Sequence, residues 1–190
     1  MFYVSEIQTT APVVYKTPLQ KSVYETLEWL QIPFERVDTD EAVTMEDCAS
    51  INRKLQMDMV KTLFLCNRQQ TSFYLFVTKG DKAFRSGAFS KALEIARVSF
   101  APAESLLEML GTKVGAATVF SALLDRQNHV QLVFDREVAD AAWYGCSDGT
   151  TTGYMKIQTA DIMKKFLPFV NHAAIVIEVS KWDYIRTGLL

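Results

Sequence analysis

Two histidines and three cysteines are all that this 190-residue sequence holds of those types. His129 stands beside a hairpin-like turn and His172 follows a helical stretch, and neither belongs to a nucleophile–base motif. Cys48, Cys66 and Cys146 are odd in number, and their spacing matches neither a disulfide framework nor a zinc ribbon, so reduced thiols are expected. No cluster of His, Cys and carboxylates has metal-ligand spacing, so no metal is expected. Neither a Walker loop nor a GxGxxG run occurs, which removes support for a nucleotide cofactor, and no organic cofactor is expected. Long apolar runs are missing too: nothing approaches the roughly 20 residues of a membrane helix. The start, MFYVSEIQTTAPVVYK, lacks a charged leader followed by an apolar segment. A cytoplasmic address without membrane contact is the expectation. Excess positive charge is absent as well. At a net charge of −2 and a pI near 5.7, broad electrostatic coating of DNA or RNA is excluded, although a local nucleic-acid contact is not.

What is present describes a compact domain. Apolar residues make up 49% and charged residues 22% of the chain, which is ordinary for a globular protein. Residues 1–15 carry no period and read as an arm. TPLQKSVYETLEWLQI follows, with Thr17 as N-cap, Pro18 at the first helical position and Val23, Leu27 and Leu30 on one face. PFERVD reads as a strand, and Thr44 with Asp47 three positions on reads as a capping-box-like start to a second helix. Residues 60–67 and 72–78 form a hairpin around NRQQT. A helix is expected over 87–96, a strand over 97–100, and another helix over APAESLLEML, closed by Gly111. TVFSALL and VQLVFD read as two strands of a second hairpin, and YGCSDGTTTG (144–153) reads as loop. The strand YMKIQ, a helix capped by Thr159 and the strand AAIVIEV complete the reading. Helices interspersed with hairpins imply an α/β or α+β domain with a mixed sheet, without internal repeats or a dividing linker.

Few residues invite chemistry. Lys61 heads an apolar strand, where an ammonium is costly unless a polar or negative group meets it. Taken alone, a lysine at a strand end is most often a surface residue that snorkels to water. Cys146 is the one cysteine placed in a presumed loop, but nothing near it in sequence supplies the base that would make it a thiolate. The small-residue loops after Gly111 and around 145–152 can be plain turns.

Taken together, DEAVTMEDC (40–48), VKTLFLCNR (60–68), VSFAPAESLLEMLGTKVGAATVFSALLD (98–125) and YGCSDGTTTGYMKIQTADIMKKFL (144–167) resemble the YbaK/EbsC family. These are free-standing relatives of the prolyl-tRNA synthetase editing domain, and the ProX-type branch is the nearest. The resemblance runs from about residue 18 to about 179, within a single 1–190 domain. It implies a mixed, partly barrel-like sheet flanked by helices, and hydrolysis of the ester that joins a wrong amino acid to tRNA. The family lysine falls on Lys61, which would anchor the phosphate or acyl end of the terminal adenosine. Thr62 stands beside it, where the ProX branch has asparagine. Gly115 and Thr118 match the pocket-loop pattern, while Val119 replaces its usual proline and Ser121 a glycine. In the later loop, where the branch has His-Pro-Asn-x-Asn-Thr-x-Thr, this chain has Gly145, Cys146, Ser147, Asp148, Gly149, Thr150, Thr151 and Thr152, keeping Thr150 and Thr152. The implied partners are the 3′ end of an aminoacyl-tRNA, touched locally, and an aminoacyl-tRNA synthetase.

The leading expectation is therefore a trans-editing aminoacyl-tRNA deacylase for a mischarged small amino acid. Loss of the His-Pro-Asn segment keeps a second reading open, a catalytically silent module that binds a tRNA end, an amino acid or a protein. A Cys146-dependent thiol enzyme is the third.

Overall fold

The computed structural model describes residues 2–42 and 45–179. Thr44, the proposed helix cap, and the tail from residue 180 lie outside them. Helix α1 (Pro18–Trp29) begins as expected, with the Thr17 hydroxyl accepting from the Gln20 N–H at 3.0 Å. Its buried face carries Leu19, Val23 and Leu27. Strand β1 (Phe34–Asp38) follows, then α2 (Met45–Leu55), and β2 (Val60–Cys66) pairs antiparallel with β3 (Phe73–Lys79) as the predicted hairpin. Helix α3 (Ser86–Ala92), the two-residue β4 (Ser99–Phe100) and α4 (Ala103–Leu110) form the crossover. Gly111 ends α4 at φ 63°, the left-handed conformation that glycine adopts without strain. Then come β5 (Val130–Asp135), α5 (Arg136–Ala139), β6 (Trp143–Ser147), β7 (Gly153–Gln158) and β8 (Ala174–Ile177).

Two sheets result. One has the order β4-β2-β3-β5-β8, with β5 and β8 parallel to β3; the other is the antiparallel β1-β7-β6. They meet at a bridge between Met59 and Gly145, ahead of β2, and do not close into a barrel. Between them lies the main core, where Phe64, Leu75, Leu132 and Phe134 meet Tyr144, Met155 and Ile157. Each such side chain contributes about 1.5–3 kcal/mol of burial. The opposite face of the larger sheet packs Leu65, Phe76 and Val133 on Phe89 of α3.

Four expectations are corrected. TVFSALL is not a strand: Val119–Leu123 forms a 3-10 turn with Val119, Phe120, Ser121 and Ala122 all buried. A short apolar run enclosed on every side lacks the alternation that marks a half-buried strand. VQLVFD consequently has no hairpin partner there and runs parallel to β3, Phe73 opposite Val130. Residues 144–147 are strand, not loop, because β6 pairs with β7 from Trp143–Gln158 to Ser147–Tyr154. Thr159 does not cap its helix. Strand β7 runs straight into a helical stretch (Thr159–Asp161, a π-type turn Ile162–Phe166, then Leu167–Phe169) whose cap position is Gln158, and the Thr159 hydroxyl is buried without a hydrogen bond. The N-terminal arm is docked along β1, with Ser5 N donating to the Asp38 carbonyl and Gln8 N to that of Arg36, both at 2.9 Å.

Candidate functional site

Strand β4 covers β2 only at Leu65 and Cys66, so no described strand lies opposite the same edge from Val60 to Leu63. Along that open edge runs a cleft of about 710 Å³. Lys61 and Thr62 both line it from opposite faces of β2, as strand alternation requires. Lys61 is half-buried, and its Nζ donates to the backbone carbonyl of Lys82 in the loop after β3. Burial holds the ammonium below the ordinary lysine range, opposed by the charge of Asp81 on the same wall.

Behind Lys82 is a second layer. Its own Nζ, almost fully buried, sits 2.7 Å from Asp135 Oδ2 and 2.8 Å from Glu137 Oε1, and the Thr78 hydroxyl donates to Asp135 at 2.9 Å. Burial pushes this ammonium down, but hydrogen bonds and charge from the two carboxylates outweigh it and leave the group above its ordinary value. Thr78 is the residue directly opposite Lys61 in the β2–β3 ladder. The wall that presents Lys61 is thus fixed from within the sheet.

The facing wall includes Gly115 and Ala117 together with Ser147. Gly115 adopts φ +89°, while an added Cβ would find ordinary space beside Thr151; conformation, not room, demands glycine here. Ser147 Oγ donates to the Ala116 carbonyl at 3.1 Å, and Thr112 Oγ1 donates to the same carbonyl at 3.2 Å. The first bond ties the loop after α4 to the end of β6, and the second closes that loop on itself.

The remaining predicted residues lie behind the lining. Val119, Thr118 and Cys146 are buried in the core region, and the Thr118 hydroxyl, without a hydrogen bond of its own, turns toward the Cys146 thiol. Burial drives that thiol far above its ordinary range, which removes the thiol-enzyme reading. Gly145 packs against Met57, whose Sδ would lie 2.4 Å from an added Cβ. Asp148, fully buried, accepts from Gln20 Nε2 at 2.7 Å, Tyr24 Oη at 3.0 Å and Thr150 Oγ1 at 2.7 Å, locking the β6–β7 turn onto α1. Thr150 is part of that lock, and Thr152 Oγ1 accepts from Lys16 Nζ at 2.5 Å. His172 pairs with Asp125 at 3.1 Å, away from the cleft.

Sequence reasoning missed Asp58 and Asp81, the exposed Phe100 and the Lys82 carbonyl. A Gly-Asp-Lys run directly after a strand was the available signal for Asp81 and Lys82. Among the described residues no group of His, Cys, Asp and Glu could hold a metal, and no helix is long and apolar enough to cross a membrane.

A family model, "Aminoacyl-tRNA editing domain", matches residues 39–165. The prolyl-tRNA synthetase associated domain-containing protein 1 of Danio rerio is 27% identical over 161 residues, which is 84% of this chain and 86% of that protein. The prolyl-tRNA editing protein ProX of Acetoanaerobium sticklandii is 26% identical over 119 residues, 63% of this chain and 73% of that one. A solved structure, a proposed trans-editing enzyme for prolyl tRNA synthetase, superposes with a TM-score of 0.60 at 14% identity. It covers 87% of this chain and 100% of that one, a likeness of fold.

Proposed function

Because the chain belongs to the aminoacyl-tRNA editing domain family, we propose that it is a free-standing deacylase that hydrolyses the ester between a mischarged small amino acid and the 3′-terminal adenosine of tRNA. The observation that carries this reading is the placement of Lys61: a half-buried ammonium at the unpaired edge of β2, on the wall of a cleft large enough for an aminoacyl nucleoside. In such a site a fixed positive charge binds the terminal phosphate or the ester carbonyl, and favours the negative charge that develops on the carbonyl oxygen as water attacks. Attack breaks the acyl–oxygen bond and releases the amino acid and the free ribose hydroxyl. Water is the nucleophile because the cysteines at hand are poor ones. Cys48, which lines the cleft, is held protonated by burial and by the charge of Asp47, and Cys146 is sealed in the core. Asp81, on the cleft wall close enough to Lys61 for its charge to act on it, is the group available to orient that water. Gly115 lets the loop after α4 approach the substrate, while Thr118, Val119, Gly145, Cys146, Asp148, Thr150 and Thr152 act as the support that keeps this wall in place.

Single-turnover deacylation of a panel of mischarged tRNAs tests the reading. Wild type accelerates ester loss for at least one small amino acid and Lys61→Ala abolishes the acceleration; no acceleration with any member of the panel overturns it.

One observation favours a second reading, a binding module without turnover. Across the positions aligned with His-Pro-Asn-x-Asn, the Asp148 carboxylate is spent inward, on Gln20, Tyr24 and Thr150, and Ser147 is the one residue on the cleft wall. That reading predicts saturable binding of a non-hydrolysable aminoacyl-adenosine with no hydrolysis of the ester.

A further inference from the structure

Next to the main cleft is a second one of about 410 Å³, and the two share Asp58, Val60 and Lys79 as a common wall. Its floor holds Trp143, the first residue of β6, with 46% of its surface exposed. An exposed indole inside a concavity is unusual, since burying it would be worth several kcal/mol. Something fixes its plane: Lys156 Nζ lies 4.6 Å from the ring centroid, reaching diagonally from β7, where Trp143 faces Gln158. Lys156 is itself held at 3.3 Å by Glu35. Glu137 also borders the cleft, but Lys82 already engages its carboxylate at 2.8 Å. An oriented aromatic platform, a lysine on the shared wall and a carboxylate beside it are therefore in place immediately outside the cavity that carries Lys61.

We propose that this second cleft receives the cytidine that precedes the terminal adenosine of the tRNA. The proposal rests on the deacylase reading for the neighbouring cleft. The acceptor end of a tRNA is single-stranded, so an enzyme that takes the terminal adenosine must also accommodate the nucleotide before it. Bases of single strands are held by stacking on aromatic side chains, and their phosphates by cations along the path. Trp143 provides the stacking face. Lys79, common to both clefts, meets the phosphate that joins the two nucleotides. Asp58, an acceptor, faces the base edge, and this suits a base with an exocyclic amino donor, as cytosine has and uracil lacks.

Two measurements test it. In the first, KM is compared for an aminoacyl-tRNA and for the same amino acid on adenosine alone. Trp143→Ala raises KM for the tRNA about tenfold more than for the adenosine ester, the scale of one lost stacking contact, and Trp143→Phe recovers most of the difference. An equal effect on both substrates means a structural role and overturns the proposal. The second does not depend on turnover. In a chain with Trp29 and Trp182 replaced by Phe, cytidylyl-adenosine quenches the Trp143 fluorescence saturably, binding at least fivefold tighter than uridylyl-adenosine and weakening with Lys79→Ala. Absence of saturable quenching overturns the site, and equal affinity for the two dinucleotides overturns the part assigned to Asp58. If wild type hydrolyses no ester yet the dinucleotide binds, the deacylase reading fails and the cytidine site stands.

Discussion

The ammonium of Lys61 is held by the backbone carbonyl of Lys82, and the ammonium of Lys82 in turn sits 2.7 Å from the carboxylate of Asp135. One lysine at the cleft is thus braced by the main chain of another, whose side chain is anchored inside the sheet. Asp135 also accepts from Thr78 and from the Glu137 N–H at the start of α5. Removing one partner of such a pair strands a buried charge. Asp135→Ala is therefore expected to lower stability by about 3–5 kcal/mol in urea unfolding. Replacing both members, Lys82→Met with Asp135→Leu, is expected to recover a large part of that loss, because no unpaired charge stays buried: Glu137, which also loses Lys82, is partly open to water. If the double variant is as unstable as the single, the ion pair is not the reason.

A pH dependence follows from the burial of Lys61. Its ammonium is held below the usual value of 10.5, so the protonated form needed to meet a phosphate or a developing oxyanion is lost earlier in an alkaline titration. After subtraction of the uncatalysed rate, single-turnover deacylation should fall as pH rises, with its midpoint below that of a solvent-exposed lysine. Lys61→Arg, which stays charged throughout, should lose the alkaline fall while retaining part of the rate. An unchanged alkaline limb in Lys61→Arg would assign the titration to another group.

The sequence carried much of this architecture, and the gaps have physical causes. The start of α1 was readable because Thr17 and Pro18 act locally, and so was the end of α4, where Gly111 meets a backbone need of its own. The β2–β3 hairpin was legible from two apolar runs around a polar turn. The parallel pairing of β5 with β3 was not, because nothing in the strand itself records a partner more than fifty residues away across a crossover. The same limit hid the site. Lys61 was visible as an ammonium out of place. Its brace on Lys82, the open edge of β2 and the role of Asp148 as a lock depend on which segments the fold brings together. Family resemblance named Lys61 and Gly115, both on the cleft wall, along with residues such as Cys146 and Val119 that stand one layer deeper.

Tyr144 is fully buried and its hydroxyl makes no hydrogen bond of normal geometry, although Thr62 lies near enough to favour its ionised form slightly. An unsatisfied buried hydroxyl costs about 1–3 kcal/mol. Tyr144→Phe is therefore expected to be neutral or stabilising by up to about 1 kcal/mol, against the destabilisation usual for core changes. It should also flatten the alkaline limb of stability. Burial raises Tyr144 well above its ordinary value of 10.0, so in the unfolded chain the phenol ionises first. Its contribution is complete below that unfolded value and is lost as pH climbs above it toward the folded one. Thermal melts of both proteins between pH 8 and about 11 read the difference directly.

Gly153 opens β7 directly over the Asp148 carboxylate, and a Cβ built there would stand 2.2 Å from Oδ2 and 2.6 Å from Cγ. A flexible neighbour could yield, but Asp148 cannot. It is gripped by Gln20, Tyr24 and Thr150, and its own N–H donates to the Gly153 carbonyl at 3.0 Å. Gly153→Ala must therefore either break the lock or bend the strand, with an expected loss of about 1–3 kcal/mol, the usual scale for overpacking. Gly87, in α3, has nothing within 4 Å of an added Cβ, so alanine there should be neutral or stabilising by up to about 1 kcal/mol. If the lock is what holds the wall formed by Ser147 and the loop after α4, Gly153→Ala should also raise KM for the acylated tRNA, while Gly87→Ala leaves it alone. Equal stability and equal KM in the two variants would mean that the turn yields freely and that Asp148 does not set the shape of the cleft.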